Sequence, residues 1–201
     1  TITTADDAWF TGDLVMGDFD TTENEALGRD VVLQTMFKNC TNLVSVDISK
    51  ASFPSYVNLC TMCKNATSIK SFNFGSLSVN NLSSYLTFKE FFYGCTNLKT
   101  VSGSIDFTGL SAESYTMGDT SAKNGLIASM FENCTSLESM DLTQLLKNTS
   151  ILAGAYSLFN GCTSLKSVKV GNTLSNVSYL NYAFANCTNL TDVVLEVQQP
   201  Y

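Results

Sequence analysis

The sequence predicts an α/β solenoid of about six coils, with short helices on one side of each coil and strands stacked into a parallel sheet on another. Three observations carry this. The block Met36-Phe37-Lys38-Asn39-Cys40-Thr41-Asn42-Leu43 returns as Met130 to Leu137, as Leu158 to Leu165 and as Ala183 to Leu190, and a motif that recurs every ~20–50 residues marks a repeat architecture. Ahead of each block, apolar residues fall at the i, i+3, i+4 spacing of one helix face. Behind each block they alternate with polar residues, as in a half-buried strand.

Residues 1–30 lack the motif and read as an N-terminal cap. They hold eight of the 18 acidic residues, one base (Arg29) and the only tryptophan, Trp9, beside Phe10. A terminal unit needs a polar outer face and an apolar plug against the first coil. The solenoid occupies 31–201, and its units are anchored on Cys40, Ala66, Cys95, Cys134, Cys162 and Cys187. Three residues before the anchor stands Phe37, Cys63, Phe92, Phe131, Phe159 or Phe184. Four and seven before it the residues are again apolar, which predicts the short helix. Immediately before it stands Asn39, Asn65, Gly94, Asn133, Gly161 or Asn186, the residue types that best tolerate a left-handed stop. Thr followed by Asn or Ser supplies the turn. Then comes Leu43-Val44-Ser45-Val46-Asp47-Ile48 or its equivalent, the L-x-x-L-x-L spacing of a leucine-rich repeat strand.

The intervals between anchors are 26, 29, 39, 28 and 25 residues. The long one holds an insertion at about 102–125, rich in Gly, Ser and Thr. Such an insertion maps to a loop on one face of a solenoid, often the binding face. The last strand, 193–197, is followed by four residues with no visible capping segment, so self-association through the C-terminal edge is expected.

The block F-x-[NG]-C-[TS]-x-L-x-x-V-x-[IL] resembles the BspA-type leucine-rich repeat of bacterial surface and secreted proteins, over about residues 31–197. The resemblance implies a right-handed solenoid, export to the cell surface, and non-catalytic binding to a host or cell-surface protein or glycan. The family's usual proline after the strand is absent; Ser49, Thr143 and Gly171 stand there.

The residue chemistry points the same way. The chain has no histidine, which removes the commonest general base and metal ligand. A net charge of −7 argues against nucleic acid or an anionic membrane as partner. No apolar run approaches the ~18 residues of a membrane span. Seven cysteines cannot all pair within one chain, and the anchor cysteines read as small buried residues, since Ala66 replaces one of them. Cys60-Thr61-Met62-Cys63 has redox or zinc spacing, but no second ligand pair exists and Cys63 fills the phenylalanine slot. Asp18 to Glu25 is acidic enough to suggest calcium, yet Thr22 and Glu23 break the EF-hand pattern. Asn-x-Ser/Thr triplets such as Asn39-Cys40-Thr41 follow from the repeated turn. Asp47 and Asp141 lie three units apart, roughly 14 Å at strand spacing, too far for paired-carboxylate catalysis.

No catalytic residue, metal or cofactor is therefore expected. The candidate ligand-binding residues are the outward strand positions Ser45, Asp47, Ser71, Asn73, Ser139, Asp141, Ser167, Lys169 and Asp192. Tyr115, Met117 and Asp119 of the insertion join them. The expected function is a surface binding or adhesion module; a structural spacer within a larger surface protein is the alternative.

Overall fold

A computed structural model of the chain describes residues 12–17, 31–51, 57–79, 88–108, 125–152 and 154–195. Trp9, Phe10, Asp18 to Glu25, Tyr115, Met117 and Asp119 lie outside these residues. The described strands are β1 (Gly12–Val15), β2 (Val31–Val32), β3 (Leu43–Asp47), β4 (Val57–Asn58), β5 (Ser71–Ser78), β6 (Thr100–Asp106), β7 (Ser139–Asp141), β8 (Leu146–Lys147), β9 (Ser167–Lys169) and β10 (Asp192–Val194). Every strand pair is parallel. Successive coils therefore stack with their strands in register, and the molecule is a parallel-strand solenoid.

The strand alternation holds. Val46, Phe72, Met140 and Val168 point into the core, while Ser45, Ser71, Ser139 and Ser167 beside them do not. The expected single sheet does not form. β1-β3-β5-β6-β8 make one sheet and β7-β9-β10 another, with β2 and β4 forming a separate pair. The first sheet begins with β1, where Asp13 pairs with Ser45 and Val15 with Asp47.

The expected short helices are replaced by chains of turns. In an α-helix each amide would bond a carbonyl four residues back. Here alternate amides close four-residue turns, as Lys38 does to Thr35 O at 3.0 Å and Cys40 to Phe37 O at 3.1 Å. The amides between them leave the coil altogether. Phe37 N–H reaches Met62 O at 2.8 Å and Asn39 N–H reaches Lys64 O at 2.9 Å. Such a path needs two left-handed residues per coil. The expected one precedes the anchor, at Asn39, Asn65, Gly94, Asn133, Gly161 and Asn186. The second, four residues earlier, falls on Thr35, Thr61, Glu90, Ser129, Ser157 and Tyr182.

The same three amides of each coil bond the next coil, from Thr35, Phe37 and Asn39 through to Ser157, Phe159 and Gly161. Donors always face the following coil. Thiols complete the ladder in the opposite sense. Cys95 Sγ–H donates to Cys63 O at 3.0 Å, Cys134 to Phe92 O at 3.2 Å, Cys162 to Phe131 O at 3.0 Å and Cys187 to Phe159 O at 3.0 Å. The acceptor belongs in each case to the phenylalanine slot of the preceding coil. A buried thiol thus satisfies both its volume and its weak donor. None of the seven cysteines forms a disulfide.

The core is an aromatic column flanked by leucines. Phe92, Phe131, Phe159 and Phe184 stack face to face, with centroids 5.5, 5.2 and 5.7 Å apart and interplanar angles of 17°, 6° and 12°. Where Cys63 takes the phenylalanine slot, Phe72, Phe74, Phe88 and Phe91 cluster around Phe92 in mostly edge-on and tilted contacts. The aromatic volume missing from that slot is made up by neighbours.

Candidate functional site

The break between the two sheets forms the candidate site. Coils three and four are bonded normally along the turns. Phe92 N–H donates to Met130 O at 2.9 Å, Gly94 N–H to Glu132 O at 2.8 Å, and Thr135 Oγ1 to Thr96 O at 3.2 Å. Beyond that point the strands part. β6 pairs with β5 from Thr100 onward, and β7 pairs with β9. β6 meets the fourth coil again only where Ile105 pairs with Leu146 and Asp106 with Lys147.

The sequence of the fourth coil causes the detour. Asp141 ends β7 and caps a one-turn helix, α1 (Leu142–Leu145). Its carboxylate accepts from Thr143 N–H at 2.9 Å, Gln144 N–H at 3.2 Å and Thr143 Oγ1 at 2.5 Å. Leu142 and Leu145 are buried. The helix takes up chain that would otherwise continue the strand, and β8 restores the pairing one element later. On the other side, β5 and β6 run on for 8 and 7 residues. Of the insertion expected at about 102–125, residues 102–106 therefore belong to a strand.

A cleft of about 690 Å³ opens between the parted strands. Its walls carry Ser76, Lys99, Thr100, Ser102, Ser104, Ser139, Asp141, Gln144 and Lys147. Gly75 and Gly103 lie on its floor. A Cβ on Gly103 would stand 2.5 Å from the backbone N and O of Gly75, so only glycine lets β5 and β6 approach there. Two lysines and one carboxylate make the cleft a cationic spot on a chain of net charge −7. Burial pushes Asp141 up, but the bonds from Thr143 and Gln144 outweigh it and hold its carboxyl below the usual range.

Of the outward positions, only Ser139 and Asp141 line this cleft. Ser45, Asp47, Ser71 and Asn73 lie on the first sheet, in rows with Thr100 and Ser102. Ser139, Asp141, Ser167, Lys169 and Asp192 lie on the second. Several already have local partners. Asp47 accepts from Ser49 N–H at 2.8 Å and Asn73 Nδ2 at 3.2 Å, and the bonds from Ser49 lower its pKa. Asn73 Oδ1 accepts from Gly75 N–H at 3.0 Å and Ser102 Oγ at 3.2 Å. Asp106 makes the corresponding turn in the third coil, with Thr108 and Asn148, and those bonds lower its pKa. Asp47 and Asp106 stand at the last positions of β3 and β6.

Lys99, Thr100, Ser102, Ser104, Gln144 and Lys147 were not singled out by the sequence pattern. Two signals point to them: the 39-residue interval, and Asp141-x-x-Gln144, a helix-start signature placed where a strand should continue. Among the described residues, no group of three or more His, Cys, Asp or Glu could hold a metal ion. No described helix is long and apolar enough to cross a membrane. Cys60 and Cys63 are buried, and burial raises both thiols.

The BspA type leucine rich repeat region (6 copies) matches residues 126–199. A T. pallidum leucine rich repeat protein of known crystal structure is similar over 90% of this chain and 68% of its own, at 15% identity and a TM-score of 0.51. A leucine rich cell surface protein of Faecalibacterium prausnitzii aligns over 78% of this chain and 80% of its own, at 13% identity and a TM-score of 0.19. No curated protein matches significantly.

Proposed function

Because the chain is a leucine-rich repeat protein whose residues 126–199 belong to the BspA type, we propose that it is a non-catalytic binding module displayed outside the cell. Its partner is a protein or glycan held on the strand face. The observation that carries this is the cleft where the strand face divides. It is polar, open to solvent and lined by side chains from three coils that the solenoid fixes relative to each other. A repeat that only spaced other domains would have no need of the α1 detour. The buried, carbonyl-bonded thiols suit an exported protein, since oxidants reach exposed thiolates first.

The test is capture on arrays of extracellular-matrix proteins and glycans. The wild-type chain is expected to bind at least one class. The double variant Ser102→Arg, Ser139→Arg, which fills the cleft from two exposed positions, is expected to lose that signal while its melting curve is unchanged. Undiminished capture by the double variant would put the site elsewhere.

A second role, as an assembly unit, is favoured by the coil anchored on Cys187. Tyr182 and Leu195 are 63% and 64% exposed there. The amides of Tyr182, Phe184 and Asn186, which in every earlier coil would bond the next, have no acceptor among the described residues.

A further inference from the structure

β6 and β7 each have one satisfied edge and one open edge. β6 is paired to β5 along Thr100–Ser104, yet across the cleft no backbone bond joins these residues to β7 among the described residues. Ser139–Asp141 likewise pair with β9 on one side only. Between the other coils the equivalent strands pair with each other, β1 with β3, β3 with β5, β5 with β6 and β9 with β10. An open strand edge is a row of amide donors and carbonyl acceptors. Two such rows facing one cleft are complementary to one thing above all, another main chain.

We infer that the cleft binds a short extended polypeptide segment, inserted as an added strand between β6 and β7. This rests on the binding-module function proposed above and names its ligand class. Ser139–Asp141 limits the stretch paired on both sides to about three residues, roughly 10 Å of extended chain, because α1 lies against β6 beyond it. The cleft is closed at one end by the Thr135–Thr96 bond and at the other by the Ile105–Leu146 pair, so longer ligands must leave through the open face. The volume of about 690 Å³ lies within the ~300–1,000 Å³ usual for ligand pockets. The described walls carry hydroxyls, an amide and two glycines, and no aromatic ring on which a sugar would stack is among them. Of the charged groups, Asp141 is occupied by its cap and Lys147 Nζ donates to Thr143 O, while Lys99 adds a second cation. An acidic side chain in the segment is therefore favoured. Main-chain bonds supply the affinity in this mode, and the flanking side chains supply the selectivity.

The test is a titration of the full, isotope-labelled chain followed by amide resonances. The first probe is a pooled library of acetylated, amidated pentapeptides with a central glutamate and varied flanking residues. The second is the same library N-methylated at alternate amides, which removes donors and blocks strand pairing. The third is a set of soluble oligosaccharides. The unmodified library is expected to shift Val101, Gly103 and Met140 saturably, with at least a tenfold loss on N-methylation and a similar loss in the Ser102→Arg, Ser139→Arg chain. Equal shifts from both libraries, or none from the first, would overturn strand insertion. If oligosaccharides alone shift these residues, the binding module stands and strand insertion falls. If no probe shifts them and the arrays are also blank, both fall.

Discussion

At the scale of single residues, the coil depends on two left-handed positions that differ in what they cost. Asn39 at φ 63° is a residue type that visits this region readily. Thr35, also at φ 63°, is β-branched and is strained there. Thr35→Gly is therefore expected to raise stability by about 1 kcal/mol, read as a higher urea midpoint. No gain would mean that the threonine side chain makes up for its backbone. Only half of this device was legible in the sequence. Asn or Gly announces the position before every anchor, whereas Thr, Thr, Glu, Ser, Ser and Tyr four residues earlier share no turn propensity. Their conformation is imposed by the bonds to the next coil, which no local pattern records.

The thiols give a second prediction at this scale. Burial pushes Cys95 and Cys162 up to about 12, and Cys63 and Cys134 well above the ordinary value of 9.0. A group that holds its proton more tightly when folded stabilises fully below its unfolded pKa, and that stability is lost as pH rises toward the folded value. The urea midpoint should accordingly be level up to about pH 9 and fall steeply toward about pH 12. Cys95→Ala and Cys162→Ala, which copy what Ala66 already does, should flatten that fall. An unchanged alkaline limb in both variants would assign it to other groups.

At the scale of elements, the aromatic column joins coil to coil. Phe131 is fully buried between Phe92 and Phe159. Phe131→Ala is expected to cost about 3–5 kcal/mol, and a near-neutral result would show that the column is not what holds coils three to five together. The element that the repeat pattern hid is α1. Ser139-Met140-Asp141-Leu142 fits the strand template as well as any other unit, so periodicity alone continues the sheet. What departs is the capping pair Asp141 and Gln144, a local signal that outweighs the repeat. The cleft follows from that single departure, which explains why the fold was legible in the sequence and the site was not.

At the scale of the whole molecule, the coil around Cys187 has three turn amides without an acceptor among the described residues, and Tyr179, Leu180, Tyr182 and Leu195 are exposed there. Sedimentation of this 201-residue chain is expected to show concentration-dependent association. Tyr182→Lys with Leu195→Lys should abolish it without lowering the melting temperature. A single monomeric species at all concentrations would remove the assembly role and leave the cleft as the sole basis for function.

Along the turns the coil-to-coil bonds run one way along the axis, amide donors forward and thiols back. Each coil therefore offers its successor the same pattern of groups that it received from its predecessor. A duplicated or deleted unit joins its neighbours without a new interface having to arise, because the joint is identical everywhere. Such a gene can lengthen or shorten by whole coils at little cost to folding. The exception is the junction between coils three and four, where β6 faces α1. A duplication that copied only one side of that junction would copy no cleft, so the length of the array can drift while the number of sites does not.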